Sequence, residues 1–251
     1  GVEDLRADDS GDLLLRTPRG RIRQHRPRVY QEIAGQRVEI AARYKLASGG
    51  RVRFELARYD ATRPLVIDPV VSYATYLGGG GDDEATAIAV DRAGSAYVIG
   101  QTASQTTFPV TPGAYDPSHN GGGDDVFVAK LNPAGTALMY CTYLGGARDE
   151  SARGVAVDAA GNAYVTGSTA SENFPTTPGA YDTTFNNVGA TDTDGFVTKL
   201  NPAGTALVFS TFLGRSRDDD PFAITVDRDE NVYVTGETSS PTFPTTDGAF
   251  D

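Results

Sequence analysis

The sequence predicts an all-β fold of repeated four-stranded antiparallel units behind a separate β-rich segment. Three observations carry that prediction. One long sentence is written three times, opening at Tyr76, Tyr143 and Phe212, so the periods are 67 and 69 residues, long enough for one multi-strand unit per copy. Within each copy, branched residues alternate with small ones, as strands require, and helical periodicity is missing. Asp-led tetrads and Asn-Pro-Ala-Gly turns punctuate the runs at fixed places.

Composition sets the outer limits. The 251 residues, 39% hydrophobic and 22% charged, suffice for one large or two modest domains. No apolar run approaches the roughly 18 to 20 residues of a bilayer span, and the opening GVEDLRADDS lacks the pattern of a signal peptide. Without an initial Met, the chain reads as a processed or excised piece. A single cysteine, Cys141, leaves no internal disulfide and little support for redox chemistry or a thiolate zinc site. Charge is unevenly divided: residues 1–70 hold 14 Arg and Lys against 10 Asp and Glu, net +4, and residues 71–251 hold 8 against 23, net −15. The acidic part repels phosphates and anionic lipid, so neither nucleic acid nor membrane insertion is expected.

Residues 1–70 are expected to form a β-rich domain. DLLLRTP, RIRQHRPRVYQEI, QRVEIAARYKL and GRVRFELARYD alternate apolar with charged residues between glycine-containing turns, the pattern of a meander with one wet face. The run RTPRGRIRQHRPR gathers Arg16, Arg19, Arg21, Arg23, Arg26 and Arg28. A solvated strand face is the plain reading; contact with the acidic repeats, weakened by salt, or with an acidic polymer is the functional one. With only Tyr30 nearby and no Phe or Trp, base stacking is poorly served.

Residues 71–251 are expected to hold two full units and a partial third. SYATYLGG, reached through PLVIDP, reads as a detached strand of the fourth type. ATAIAVD, ARGVAVD and PFAITVD then place Ile88 and Val90, Val155 and Val157, Ile224 and Val226 on one face, expected to be core, and small residues on the other, where something packs closely. DRAGSAY, DAAGNAY and DRDENVY read as tight hairpins with Asp91, Asp158 and Asp227 forming the turns. VFVAKL and FVTKL are third strands, followed by Asn-Pro-Ala-Gly and the fourth strands LMYCTYLGG and LVFSTFLG. Four short antiparallel strands per near-verbatim repeat fit a β-propeller blade better than a β-sandwich, with the propeller incomplete in this chain.

YLGG, AVD, GNAYVTG, FPTTPGAYD and FVTKLNPAGTAL resemble the SBBP (seven-bladed beta-propeller) repeat family of bacterial proteins, over roughly residues 71–251. Residues 12–72 resemble the β-rich domain of unknown function that often precedes these repeats. The resemblance implies a large exported, multidomain surface or extracellular protein, and no established catalytic residues.

Several places invite chemistry. The loops from Gln101 to Asp125 and from Ser168 to Asp194 are long for a compact domain; their Phe108, Tyr115, Phe174 and Tyr181 either pin the loop or form a ligand surface. GGGGDD at Gly78–Asp83 matches a calcium pattern, but the next copy, GGARDE, breaks it, so Asp82, Asp83, Asp149 and Asp219 are expected exposed at blade edges. Asp192 and Asp194 before Gly195 are the candidates for a calcium loop, without the spaced oxygens and distal Glu of an EF-hand. No other cofactor is called for. His25 and His119, the two histidines, lie in different regions, and Cys141 sits in an apolar strand, so nucleophilic catalysis is poorly equipped. The expectation is a structural or binding module of a surface protein, acting by adhesion or assembly through open blade edges. Carbohydrate or protein binding is one alternative. A polysaccharide hydrolase or lyase, drawing on abundant Asp, is another.

Overall fold

A computed structural model describes residues 4–17, 20–47, 51–68, 73–186 and 192–249. Among them there is no helix, and the chain divides into two compact units, 1–73 and 74–251.

The first unit carries β1 (Asp4–Ala7), β2 (Leu13–Thr17), β3 (Gly20–Gln24), β4 (Arg28–Ile33), β5 (Gln36–Ile40), β6 (Ala42–Ala47), β7 (Arg51–Leu56) and β8 (Val66–Asp68). They pair antiparallel as β1-β2-β3, β5-β4-β8 and β6-β7. Val29, at 2% exposure, and Ile40 are buried. The equally buried Gln31 amide reaches the carbonyls of Asp60 and Arg63 while its oxygen accepts the Asp60 N–H, tying the loop before β8 to β4. Arg19, and the side chains of Arg21 and Arg23, lie outside what is described; Arg16, Arg26 and Arg28 are exposed, with Arg28 paired to Glu39 inside its own sheet.

The second unit is built of blades. The first consists of β9 (Asp83–Val90), β10 (Ala96–Thr102), β11 (Asp125–Leu131) and β12 (Leu138–Leu144). The second has β13 (Glu150–Val157), β14 (Ala163–Thr169), β15 (Asp194–Leu200) and β16 (Leu207–Leu213), and the third has β17 (Asp219–Val226) and β18 (Val232–Thr238). Each is an antiparallel meander in sequence order. The hairpins close as the turn residues dictate: Asp91 Oδ1 accepts the amides of Ala93 and Ser95, and Asn132 Oδ1 accepts that of Thr136. Gly94 and Gly161 occupy left-handed backbone at φ 90° and 88°. In the third copy Glu230 sits there at φ 64°, strain that an L side chain rarely bears.

The blades stack with a fixed polarity. β13 lies against β9, β10 and β11, and β17 against β13, β14 and β15. Val155 and Val157 pack on the cluster of Tyr97, Ile99, Val126 and Val128 from the first blade. On the opposite face Gly154 is so close to the third blade that a Cβ would stand 3.1 Å from the Ile224 amide nitrogen. Branched residues therefore face the preceding blade and small residues admit the next. Among the described residues Ile88 and Val90 face no blade, and they are 64% and 62% exposed, so the expectation that they are core is corrected.

The segment SYATYLGG is also corrected. Ser72 lies outside the described residues, and residues 73–79 form no strand. Tyr76 is fully exposed, whereas its counterparts Tyr143 and Phe212 are 1% exposed because β11 and β15 pair beside them.

Candidate functional site

The long loops act first on their own blades. After β10 the chain returns along the outer edge of β12: Thr111 N–H donates to the Cys141 carbonyl, Thr111 Oγ1 accepts the Cys141 amide, and Tyr143 N–H donates to the Asp116 carbonyl. The same pattern recurs along β16, where Thr177 bonds Ser210 and the Asp182 carbonyl accepts the Phe212 amide. Outer strand edges that would otherwise offer free N–H and C=O groups are thus covered.

The aromatic candidates separate accordingly. Phe108 packs on Phe127 and Tyr143 at ring separations of 4.9 and 5.7 Å, and Phe174 on Phe196 and Phe212 at 4.5 and 6.1 Å. Both are buried, so a ligand at the surface meets neither ring. Tyr115 is partly buried against the main core, and Tyr181 alone of the four is open to solvent, at 66%.

A polar clamp joins β10 to β11 and β14 to β15. Register places Tyr97 opposite Lys130 and Tyr164 opposite Lys199. Each ammonium sits over its tyrosine ring, 4.6 and 4.8 Å from the centroid, and 3.6 or 3.4 Å from Asp91 or Asp158. Burial opposes ionisation of Asp91, but the Ser95 and Ala93 amides and Lys130 outweigh it and hold the carboxyl below its ordinary range. The clamp also reaches across blades. The Tyr97 hydroxyl lies 3.1 Å from the Gly161 carbonyl, and Lys199 donates to Glu230 at 2.7 Å. Burial opposes the charge on Lys199 too, yet its hydrogen bonds to Glu230 and Tyr164 raise its pKa.

The third blade repeats the acceptor half of this clamp. Asp227 accepts the Asp229 and Asn231 amides, the Asn231 side chain and the Tyr233 hydroxyl, as Asp158 does with Ala160, Asn162 and Tyr164. The Asn231 side chain is the chief cause of its lowered pKa. Among the described residues no lysine stands over Tyr233, which is 56% exposed, and β18 pairs with β17 alone. Beside it opens a cavity of about 300 Å³ lined by Leu213, Pro221, Val234, Gly236, Thr238 and Phe243.

Acidic residues form a second recurring set. Asp83, Glu150 and Asp219 begin the first strands, and each accepts a threonine hydroxyl (Thr102, Thr169, Thr238) together with an amide from the chain entering the blade (Gly79, Gly146, Arg215). Asp219 is 1% exposed and Asp83 half-buried, correcting the expectation of exposed edge acids; only Asp82 and Asp149 of that set are exposed. Asp125 and Asp194 start the third strands, fully buried, accepting the Asn120 and Asn186 amides. Desolvation pushes Asp125 and Glu150 up to about 7 and Asp194 to about 6. Asp192 is half-buried, and among the described residues no group of three His, Cys, Asp or Glu gathers around it or elsewhere as metal ligands would. Cys141 is fully buried, its thiol pushed up to about 12 by desolvation, far from a reactive thiolate. Asp125 and Glu150 crowd the same glycine, Gly145, but burial keeps a polymer substrate from both.

Comparison with known families gives the blades their name. Residues 72–106, 140–175 and 208–243 match the SBBP beta-propeller repeat, and residues 1–70 match a domain of unknown function, DUF7948. The chain belongs to the SBBP beta-propeller repeat family. Among curated proteins, none matches the sequence. The SBBP match is out of phase with the blade: residues 140–175 contain most of β12, then β13, β14 and Phe174. One SBBP repeat therefore couples the outer strand of one blade to the inner strands of the next. That phase explains why the carboxylate opening each blade accepts an amide from the connection before it. Lys130 and Lys199, each the one cation of its strand, escaped the sequence reading; their signal was the Lys that both third strands share, opposite a Tyr at one register position.

Proposed function

We propose that the SBBP blades form a structural or binding module of an exported surface protein, working by adhesion or assembly rather than turnover. The observation that supports this most directly is the apolar leading face of the first blade, where Ile88 and Val90 are 64% and 62% exposed. Their counterparts inside the stack, Val155 and Val157, pack on the core. Apolar area of this kind favours association, and the capped edges of β12 and β16 direct it to that face. Partners on this reading are proteins or further copies.

Light scattering of the 251-residue chain across concentration tests it. The expected result is concentration-dependent association that Val90→Asp weakens while the melting temperature stays put. A chain that remains monomeric across the concentration range overturns it. The carbohydrate reading rests on Tyr181, and a glycan array in which Tyr181→Ala abolishes a signal would favour it instead.

A further inference from the structure

We propose that the first unit holds a binding site for a sugar acid, built on Asp12, His25 and Arg26. The site lies apart from the blades and does not rest on their association. It occupies a cavity of about 640 Å³ lined by those three residues together with Arg28 and Glu39, a volume that suits a small ligand.

Chain connectivity builds it. Asp12 closes the turn before β2, its amide donating to Asp8 Oδ1 at 3.0 Å, and its side chain is only 9% exposed. That carboxylate reaches the link between β3 and β4: Oδ1 accepts the Arg26 amide at 2.9 Å, and Oδ2 lies 3.0 Å from His25 Nδ1. A carboxylate only accepts, so the bonded ring proton sits on Nδ1, and in the neutral ring Nε2 is left as an acceptor. The His25 side chain is 53% exposed, and among the described residues nothing bonds Nε2. Arg26 follows it, exposed, and no acid among the described residues pairs with its guanidinium, whereas Arg28 is held by Glu39. A staple for the turn needs only the Asp12 carboxylate, Nδ1 and the Arg26 amide. An acceptor nitrogen and an uncommitted guanidinium on one cavity go beyond that.

The chemistry of the lining names the ligand class. Arg26 offers a planar fork that matches a carboxylate, and His25 Nε2 accepts a hydroxyl beside it. With His25 neutral, the formal charges of Arg26 and Arg28 cancel those of Asp12 and Glu39, so a monoanion is accommodated more readily than a phosphate dianion. Val29 and Ile40, buried and opposite each other in the β4–β5 register, give the cavity an apolar wall, on which the C–H face of a sugar ring packs. A ring that carries one carboxylate among hydroxyls is a uronate. Free uronate and the end residue of an acidic glycan share that chemistry.

The test is calorimetric titration of the whole chain with galacturonate, galactose and inorganic phosphate. The expected result is saturable binding of galacturonate, with galactose and phosphate each weaker by about tenfold or more. Arg26→Gln and His25→Phe should each weaken galacturonate about tenfold, and Arg53→Gln, on β7 and outside the cavity, should leave it unchanged. Equal losses in Arg26→Gln and Arg53→Gln reduce the effect to general surface charge and overturn the site, as does a chain that galacturonate does not saturate. Phosphate or galactose binding as tightly as galacturonate overturns the sugar-acid assignment. A galacturonate trimer that binds more tightly than the monomer points to an acidic glycan, and equal affinities point to the free acid; either upholds the site. Should His25→Phe loosen the turn, Arg26→Gln and the three ligands on the unaltered chain still decide the matter.

Discussion

The Tyr97 hydroxyl of the first blade stands 3.1 Å from the Gly161 carbonyl in the hairpin turn of the second, and 3.2 Å from Asp91 in its own turn. Its one proton can serve either acceptor. A residue that the repeat places for pairing within a blade thus also joins two blades, and Gly161 permits the approach, since a Cβ there would lie 3.2 Å from that hydroxyl.

Tyr97→Phe should therefore destabilise the chain by about 1 to 3 kcal/mol, the cost of leaving a buried acceptor unpaired. Denaturant unfolding measures it. A change below a few tenths of a kcal/mol would mean that water replaces the lost donor.

Val157 and Val90 occupy the same place in successive copies, yet Val157 packs on the core and Val90 is 62% exposed. Val157→Asp should cost about 2 to 4 kcal/mol, from lost burial and an unpaired carboxylate. Val90→Asp should stay within about 0.5 kcal/mol in dilute solution. Paired thermal melts separate them, and equal losses would show the blade polarity to be misassigned.

At Gly167 a Cβ would stand 1.9 Å from the Ser151 carbonyl oxygen, whereas Gly179 has open space around it at φ 78°. Gly167→Ala should lose several kcal/mol or fail to fold, because backbone must shift. Gly179→Ala should cost about 1 kcal/mol, from its left-handed backbone alone. Circular dichroism melts of both variants test the contrast.

The buried carboxyls set a pH dependence with an uncommon sign. Glu150 and Asp125 titrate near 7 and Asp194 near 6 in the folded chain, all raised by desolvation; unfolded, they titrate near 4. Raised acids contribute stability that is complete below about pH 4 and is lost as pH rises through 6 to 7. Asp91 and Asp158, held low, withdraw stability only as pH falls below their ordinary range. Melting temperature should rise on going from pH 8 to pH 5, by the equivalent of about 2 to 4 kcal/mol, and Glu150→Gln should flatten the rise. A melting temperature that falls over that interval would contradict the buried state of these groups.

Much of the blade was readable because it is local. Alternation at ATAIAVD, the Asp-led hairpins and the Asn-Pro-Ala-Gly turns each express chemistry between residues a few positions apart, and all formed as the pattern required. The clamp was harder to read: Asp91 and Tyr97 are neighbours in sequence, but Lys130 joins them only through register across a long loop. The loops read as pinned down by their aromatics, with a ligand surface as the alternative, but nothing in FPTTPGAYD states that its backbone will lie along the edge of the blade's fourth strand.

The sequence by itself determined the β architecture, the repeat and the turn residues, because strand alternation and turn chemistry are set by side chains and backbone dihedrals nearby in the chain. Tertiary structure alone decided which copies of an identical pattern are core and which are surface. Ile88 and Val155 read alike, but only Val155 has a blade in front of it; burial depends on what stands opposite, and no local pattern encodes that. The same reason governs the acids. Asp219 is sealed because the Thr238 and Ser240 hydroxyls, distant in sequence, converge on it, whereas Asp149 accepts the Gly123 amide and stays exposed.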